Sequence, residues 1–166
     1  CIITPTNGIT VASTNGTNFT TIWQNTAATY DGRVFIYNPV SNDAVVMGLS
    51  PSYYLPDVNS STRVPLGSNV NVSITSAGLF SNTDAFFYEG GVIKRRTWDN
   101  LKNNVNSNVW TITLGTVVWL DVDHGDNLYV VLAATTNGFR KYNSSGTLVW
   151  QRNLPANGVA GGLAHK

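Results

Sequence analysis

The sequence is poor in cysteine, charge, histidine and long apolar runs, and each shortage excludes something. A single cysteine, Cys1, rules out an intrachain disulfide, so the core stands on packing alone or on neighbours. Charged residues make up 11% of the 166 positions, less than half of the roughly 25% of an average soluble domain. With a net charge of +1 there is no broad basic field, which speaks against nucleic acid as a general partner. Lys94-Arg95-Arg96 is the one basic cluster and reads as a solvated strand end. The two histidines, His124 and His165, are far apart and have no nearby cysteine, so a zinc site is not expected. No stretch reaches the roughly 20 apolar residues of a membrane-spanning helix. Glu89 is the only glutamate, no G-x-S-x-G elbow occurs, and neither a P-loop nor a dinucleotide fingerprint is present. The chain is therefore not expected to be an enzyme or to carry a cofactor.

What is present suits strands and turns. Hydrophobic residues reach 42%, and the polar complement is Asn, Thr, Ser and Gly. The stretch 116–155 shows the organisation openly. Four apolar runs, Val117–Val122, Leu128–Ala134, Phe139–Tyr142 and Leu148–Leu154, are separated by His124-Gly125-Asp126-Asn127, Thr136-Asn137-Gly138 and Asn143-Ser144-Ser145-Gly146. Gly reaches positive φ without steric cost, and Asn and Asp tolerate it or bond back to their own backbone. An antiparallel meander follows. Further strands are expected at Ile9–Ala12, Thr20–Trp23, Arg33–Tyr37, Ala44–Leu49, Ser68–Thr75, Ala85–Tyr88, Val92–Trp98 and Val109–Leu114. Glu89-Gly90-Gly91 reads as a tight hairpin. Residues 99–108 read as a polar loop with at most one helical turn.

The expected architecture is one all-β domain over residues 1–166, with an apolar N-terminal arm at 1–12 and a Pro-rich loop at 50–66. Pro51, Pro56 and Pro65 interrupt any ladder there, because proline donates no backbone N–H. The favoured arrangement is an antiparallel β-sandwich or jelly roll; the alternative is a small propeller-like meander of blades. A repeat supports the alternative. Tyr88 and Tyr129 stand 41 apart, Trp110 and Trp150 stand 40 apart, and the order strand, Gly turn, basic strand, turn, Trp strand occurs twice. Residues 116–155, and more loosely 85–155, resemble the blade repeats of bacterial β-propellers, in which an aromatic-rich strand, a Ser/Gly turn and a Leu-Val-Trp strand recur. Residues 1–80 do not show the pattern.

Several residues are candidates for a role. Asp121, Asp123 and Asp126 could offer oxygen ligands to calcium, although the spacing is not a complete calcium loop, and a solvated turn accounts for the same residues. Trp119, beside those acids, and the loop residues Tyr53 and Tyr54 are candidate ligand-stacking faces; a partly buried strand Trp is the plainer reading of Trp119. Asn15, Asn18, Asn59, Asn71 and Asn143 each begin an N-x-S/T triplet and mark candidate glycosylation sites. Ile2, Ile3, Ile9 and Val11 form the apolar arm, which pairs within its own domain or adds to a neighbour's sheet. Cys1 reads as a domain boundary or as a lipid-bearing terminus.

Together these features favour a non-catalytic structural or surface subunit of an extracellular or virion assembly, of filament or capsid-projection type, that self-associates into a homo-oligomer or polymer. The alternative is a carbohydrate-binding, lectin-like adhesion domain with a glycan partner. An extracellular or virion-surface location fits both.

Overall fold

The computed structural model describes the backbone of residues 2–3, 9–14, 19–25, 32–33 and 76–77, and in full residues 34–48, 51–70 and 78–155. The chain divides into two compact units. One comprises Cys1–Ile74 with Asp99–Asn106, the other Thr75–Trp98 with Ser107–Lys166.

The first unit carries two sheets. Strands β1 (Ile2–Ile3), β2 (Ile9–Thr14) and β3 (Phe19–Asn25) pair antiparallel in the order β1-β2-β3. Ile2 faces Val11 and Ile3 faces Thr10, so the N-terminal arm pairs within its own sheet. Strands β4 (Gly32–Asn38), β5 (Asp43–Gly48), β6 (Ser52–Leu55) and β7 (Val64–Leu66) form a four-stranded meander. All six residues of β5 are buried, as befits a central strand covered on both faces. Ala44, Val46 and Leu55 form a small core, with Phe35, Tyr53 and Val58 against it.

Two sequence readings need correction here. Tyr53 and Tyr54 lie on β6, not in a loop. Pro51 and Pro56 flank that strand, and Pro65 sits in the edge strand β7, where a missing N–H costs nothing. The alternating run at Ser68–Thr75 does not begin as a strand. Ser68–Val70 is a 3-10 turn with Val70 buried, its carbonyl accepting a hydrogen bond from Ser52 Oγ at 3.1 Å. Residues 71–75 lie outside the described residues, as do Cys1, Asn15, Asn18 and Asn71.

The second unit carries two four-stranded meanders. Strands β8 (Ser76–Ser81), β9 (Asp84–Glu89), β10 (Val92–Thr97) and β11 (Trp110–Thr113) make one. Strands β12 (Val117–Val122), β13 (Leu128–Leu132), β14 (Phe139–Tyr142) and β15 (Leu148–Arg152) make the other. The hairpin at Glu89-Gly90-Gly91 is as expected: Val92 pairs with Glu89, and both glycines take positive φ (54° and 90°). A short helix α1 (Trp98–Lys102) follows β10.

The faces of the two sheets meet in one apolar core. Phe86, Tyr88 and Ile93 of the third sheet pack with Leu120, Val122, Leu128, Val130 and Leu132 of the fourth. β12 supplies this face through Val117, Leu120 and Val122, while Val118 is exposed. Strict alternation would put Val118 with Leu120. The register shift between Val117 and Trp119 inserts one residue and turns Val118 outward.

The all-β class holds, and of the two arrangements the chain takes the blades. Each sheet neighbour is a sequence neighbour in all four sheets, whereas a jelly roll needs strands that cross between sheets. The 40-residue period has a structural meaning: Tyr88 and Tyr129 lie on second strands, and Trp110 and Trp150 on fourth strands.

Phe86 is fully buried at the centre of this core. Phe86→Ala is expected to destabilise the second unit by about 3–5 kcal/mol, read as a shift of the urea midpoint. Val118→Thr, on an exposed site, is expected to stay within about 0.5 kcal/mol of wild type.

Candidate functional site

The polar residues of the second unit gather along the rim where the third and fourth sheets meet. Arg95 faces Phe86 on one side and Trp110 on the other. Its guanidinium lies over the Phe86 ring, 5.2 Å from the centroid. Nε donates to Asp84 Oδ2 at 2.6 Å within the same sheet. Nη2 donates to Asp126 Oδ2 at 2.8 Å and Nη1 to the Ser144 carbonyl at 2.6 Å, both from turns of the fourth sheet. Trp110 Nε1 donates to that same carbonyl at 2.9 Å. Ser81 Oγ and Asn82 Nδ2 donate to the other Asp126 oxygen, Oδ1. The ions are only 7–14% exposed, so the pairing compensates charges largely removed from water.

Local sequence sets up these turns. Asp126 takes positive φ (57°), and Asp123 folds back on the turn that holds it. Asp123 Oδ1 accepts from the Gly125 and Asn127 backbone N–H groups, both at 2.9 Å, and Oδ2 accepts from Asn127 Nδ2 and Tyr129 Oη. Burial pushes the Asp123 carboxyl up, but these hydrogen bonds outweigh it and hold the group below the usual carboxylate range. Asn143 Oδ1 organises the turn before β15 by accepting from the Ser145 and Thr147 N–H groups. Gly146 has φ +80°, and a Cβ there would approach Trp110 to 3.1 Å. The turn thus lies flat on the indole.

On the opposite face of the fourth sheet lies a second set of aromatics. Tyr129 pairs across with Lys141, and Lys141 with Trp150. Trp150 meets Tyr129 and Phe139 edge-on, Lys141 lies over Tyr129, and Arg152 lies over Trp150. A hydrogen bond with Tyr129 holds the Lys141 ammonium above its ordinary value; desolvation opposes this, and the charges of Tyr129 and Asp123 add to it.

The residues singled out from sequence disperse. Asp121, Asp123 and Asp126 do not converge: Asp123 caps its own turn and Asp126 answers Arg95. Among the described residues, no three His, Cys, Asp or Glu side chains form a group that could hold a metal. Trp119 is half-buried on β12 in the second unit. Tyr53 and Tyr54 belong to the first unit, where Arg63 lies over the Tyr53 ring at 5.3 Å. Tyr54 Oη donates to Asp43 Oδ2 at 2.8 Å, and burial, then this bond and the charges of Asp43 and Asp99, push its phenol up to about 12. Asn59 is exposed, whereas Asn143 is half-buried and engaged in its turn. Arg95, Trp110, Lys141 and Trp150 were not singled out. From sequence Arg95 reads, with its neighbours, as a solvated strand end; Phe86 and Trp110 at the facing positions are the signal that points the other way.

No protein-family profile matches the chain, and no curated protein matches it. Solved structures do. BamB from Moraxella catarrhalis superimposes with a TM-score of 0.53 at 18% identity, over 92% of this chain and 47% of that one. YCF48 bound to D1 peptide gives a TM-score of 0.65 at 10% identity, over 94% of this chain and 50% of that one. Both are β-propeller proteins, and this chain spans about half the length of each. Likeness at these identities establishes the fold: propeller-type blades. It also overturns the expected function. The arrangement expected of a filament or capsid-projection subunit, or of a lectin, is that of propeller proteins instead, and neither of those functions finds support in the neighbours.

Arg95→Ala leaves Asp84 and Asp126 without their cation and is expected to cost about 3–5 kcal/mol, measured by urea denaturation. For Asp123 the folded pKa is depressed, so its contribution is complete above the ordinary carboxylate pKa and is lost as pH falls through the folded value. The stability gap between wild type and Asp123→Asn is therefore expected to be full at neutral pH and to close in acid, followed by thermal melts across that range.

Proposed function

We propose that this chain is a non-catalytic propeller-blade scaffold that takes no cofactor and binds other proteins, with the edge strand β15 as the contact for an extended partner segment. One observation carries the reading. Leu148 and Val149 of β15 are 43% and 54% exposed, whereas the matching edge strand β11 exposes only threonines, Thr111 and Thr113. Edge strands present unpaired backbone groups, and an extended peptide can add to them as a further strand, with exposed apolar side chains supplying contact area. The register shift between Lys141 and Tyr142 opposite Val149 leaves that residue outside the regular pairing. The reading is supported by the fold and by the peptide-bound state of one fold neighbour, YCF48 with D1 peptide. Protein partners, on this reading, include further copies of the chain.

Selection of a displayed random-peptide library on the purified chain tests this. The expected result is enrichment of extended segments with alternating apolar residues, whose binding weakens about tenfold or more in Val149→Lys, a loss of about 1.4 kcal/mol, with the circular dichroism unchanged. No enrichment, or binding indifferent to Val149→Lys, overturns the proposal.

A further inference from the structure

The second unit spends its acids unevenly, and the edge strand β15 lies where cations are left over. In the third sheet the β10 cations Lys94 and Arg95 are answered: Lys94 by Glu89, Arg95 by Asp84 and Asp126. In the fourth sheet the cations are Arg140 and Lys141 of β14 and Arg152 of β15. Their contacts among the described residues are carbonyls, a hydroxyl and rings. Arg140 donates to the Asn137 carbonyl and to Tyr142 Oη, Lys141 lies over Tyr129, and Arg152 donates to the Gln151 carbonyl and lies over Trp150. Asp123 acts on Lys141 through space, but its carboxylate already accepts from four donors. From Asn127 onward the sequence holds four lysines and arginines and no Asp or Glu, so the residues that follow β15 add no acidic side chain.

Arg152 is the cation best placed to meet a partner. It is exposed and stands on the edge strand itself, three residues beyond the exposed Val149, or about 10 Å along the strand. One of its N–H groups goes to the Gln151 carbonyl, and the guanidinium has five to give. The edge strand β11 of the third sheet, Trp110–Thr113, carries no charge at all.

We infer that the extended segment taken up by β15 is acidic, with a carboxylate facing Arg152. The inference rests on the edge-strand reading and names the chemistry of its partner. On an added strand the residue directly opposite stands about 5 Å away between Cβ atoms, where opposite charges stabilise the pairing and like charges oppose it. A guanidinium at that distance can take a carboxylate through two parallel hydrogen bonds. Lys141 and Arg140, one strand further in, share the sign of Arg152 and favour the approach of an acidic chain. A net charge of +1 is too small for a general nucleic-acid surface, and exposed Leu148 and Val149 beside Arg152 suit a peptide.

The test is fluorescence anisotropy of the purified chain with short blocked peptides in which Val alternates with Glu, with Gln or with Lys. The Glu peptide is expected to bind about fivefold or more tighter than the Gln peptide, and the Lys peptide weakest. The preference is expected to shrink to within about twofold between about 0.1 M and about 1 M salt, as the Debye length falls from about 10 Å to about 3 Å. Arg152→Glu is expected to abolish it with the circular dichroism unchanged; should that variant unfold, Arg152→Gln decides. Equal binding of the Glu and Gln peptides, a preference indifferent to salt or to Arg152, or displacement of the Glu peptide by an oligonucleotide at equal charge overturns the inference. Val149→Ser, which removes the apolar contact without adding charge, separates the two readings. Peptides that bind alike in charge but weaken at Val149→Ser sink the acidic preference alone. A Glu preference that ignores Val149→Ser sinks the edge-strand reading and the inference resting on it, and so does failure of all three peptides to bind.

Discussion

Arg95 is the residue on which the arrangement of the second unit turns. Its guanidinium satisfies a carboxylate of its own sheet and both a carboxylate and a carbonyl of the next. Apolar burial supplies the bulk of the stabilisation, roughly 1.5–3 kcal/mol for each fully buried large side chain. That force has no direction, and two flat faces of Val, Leu and Phe could slide by a residue at little cost. A nearly desolvated ion pair contributes little net energy against an apolar substitute, because desolvation offsets attraction. What it supplies is position. Only one register places Asp126 and the Ser144 carbonyl on the same guanidinium, and any other strands a buried charge.

Shape depends on small turn devices. Asn82, Asp126 and Asn137 take left-handed φ, and Asp123 and Asn143 accept backbone N–H groups within their own turns. With so few charged residues, the carboxylates serve the turns and the rim between the sheets. Asp123 shows how far this goes, since four donors converge on one carboxylate at a strand entrance. Of the acids that resemble a calcium site in sequence, Asp123 thus holds its own turn and Asp126 holds Arg95 of the neighbouring sheet.

Much of the local structure was legible in the sequence, because hairpins and alternation are local. Gly90-Gly91 marks its hairpin, and the Tyr88–Tyr129 and Trp110–Trp150 spacings mark the blade repeat. Four features were not legible. Whether consecutive meanders stack as blades or fold across each other depends on packing between sheets, which no local pattern encodes. The bulge at Val117–Trp119 reverses the side of Val118 without a distinctive residue to announce it. The alternation after Gly67 matched a strand, yet its first residues anchor Val70 under Ser52 through a contact 18 positions apart. The rim cluster failed for the same reason: Arg95 meets Asp126 and Ser144 only after 31 and 49 intervening steps along the chain. In a sequence this poor in charge, a basic triplet interleaved with aromatic partners across a hairpin is the clue, although by itself it reads as solvated surface.

The most direct test of this account is a double-mutant cycle between Arg95 and Asp126, using Arg95→Met and Asp126→Asn with urea denaturation of all four forms. If their bond fixes the register of the two sheets, the single losses will exceed additivity by about 1 kcal/mol or more, within the range for residues of one polar network. Additive losses, within about 0.3 kcal/mol, would mean that the apolar faces alone set the seating and would contradict the account.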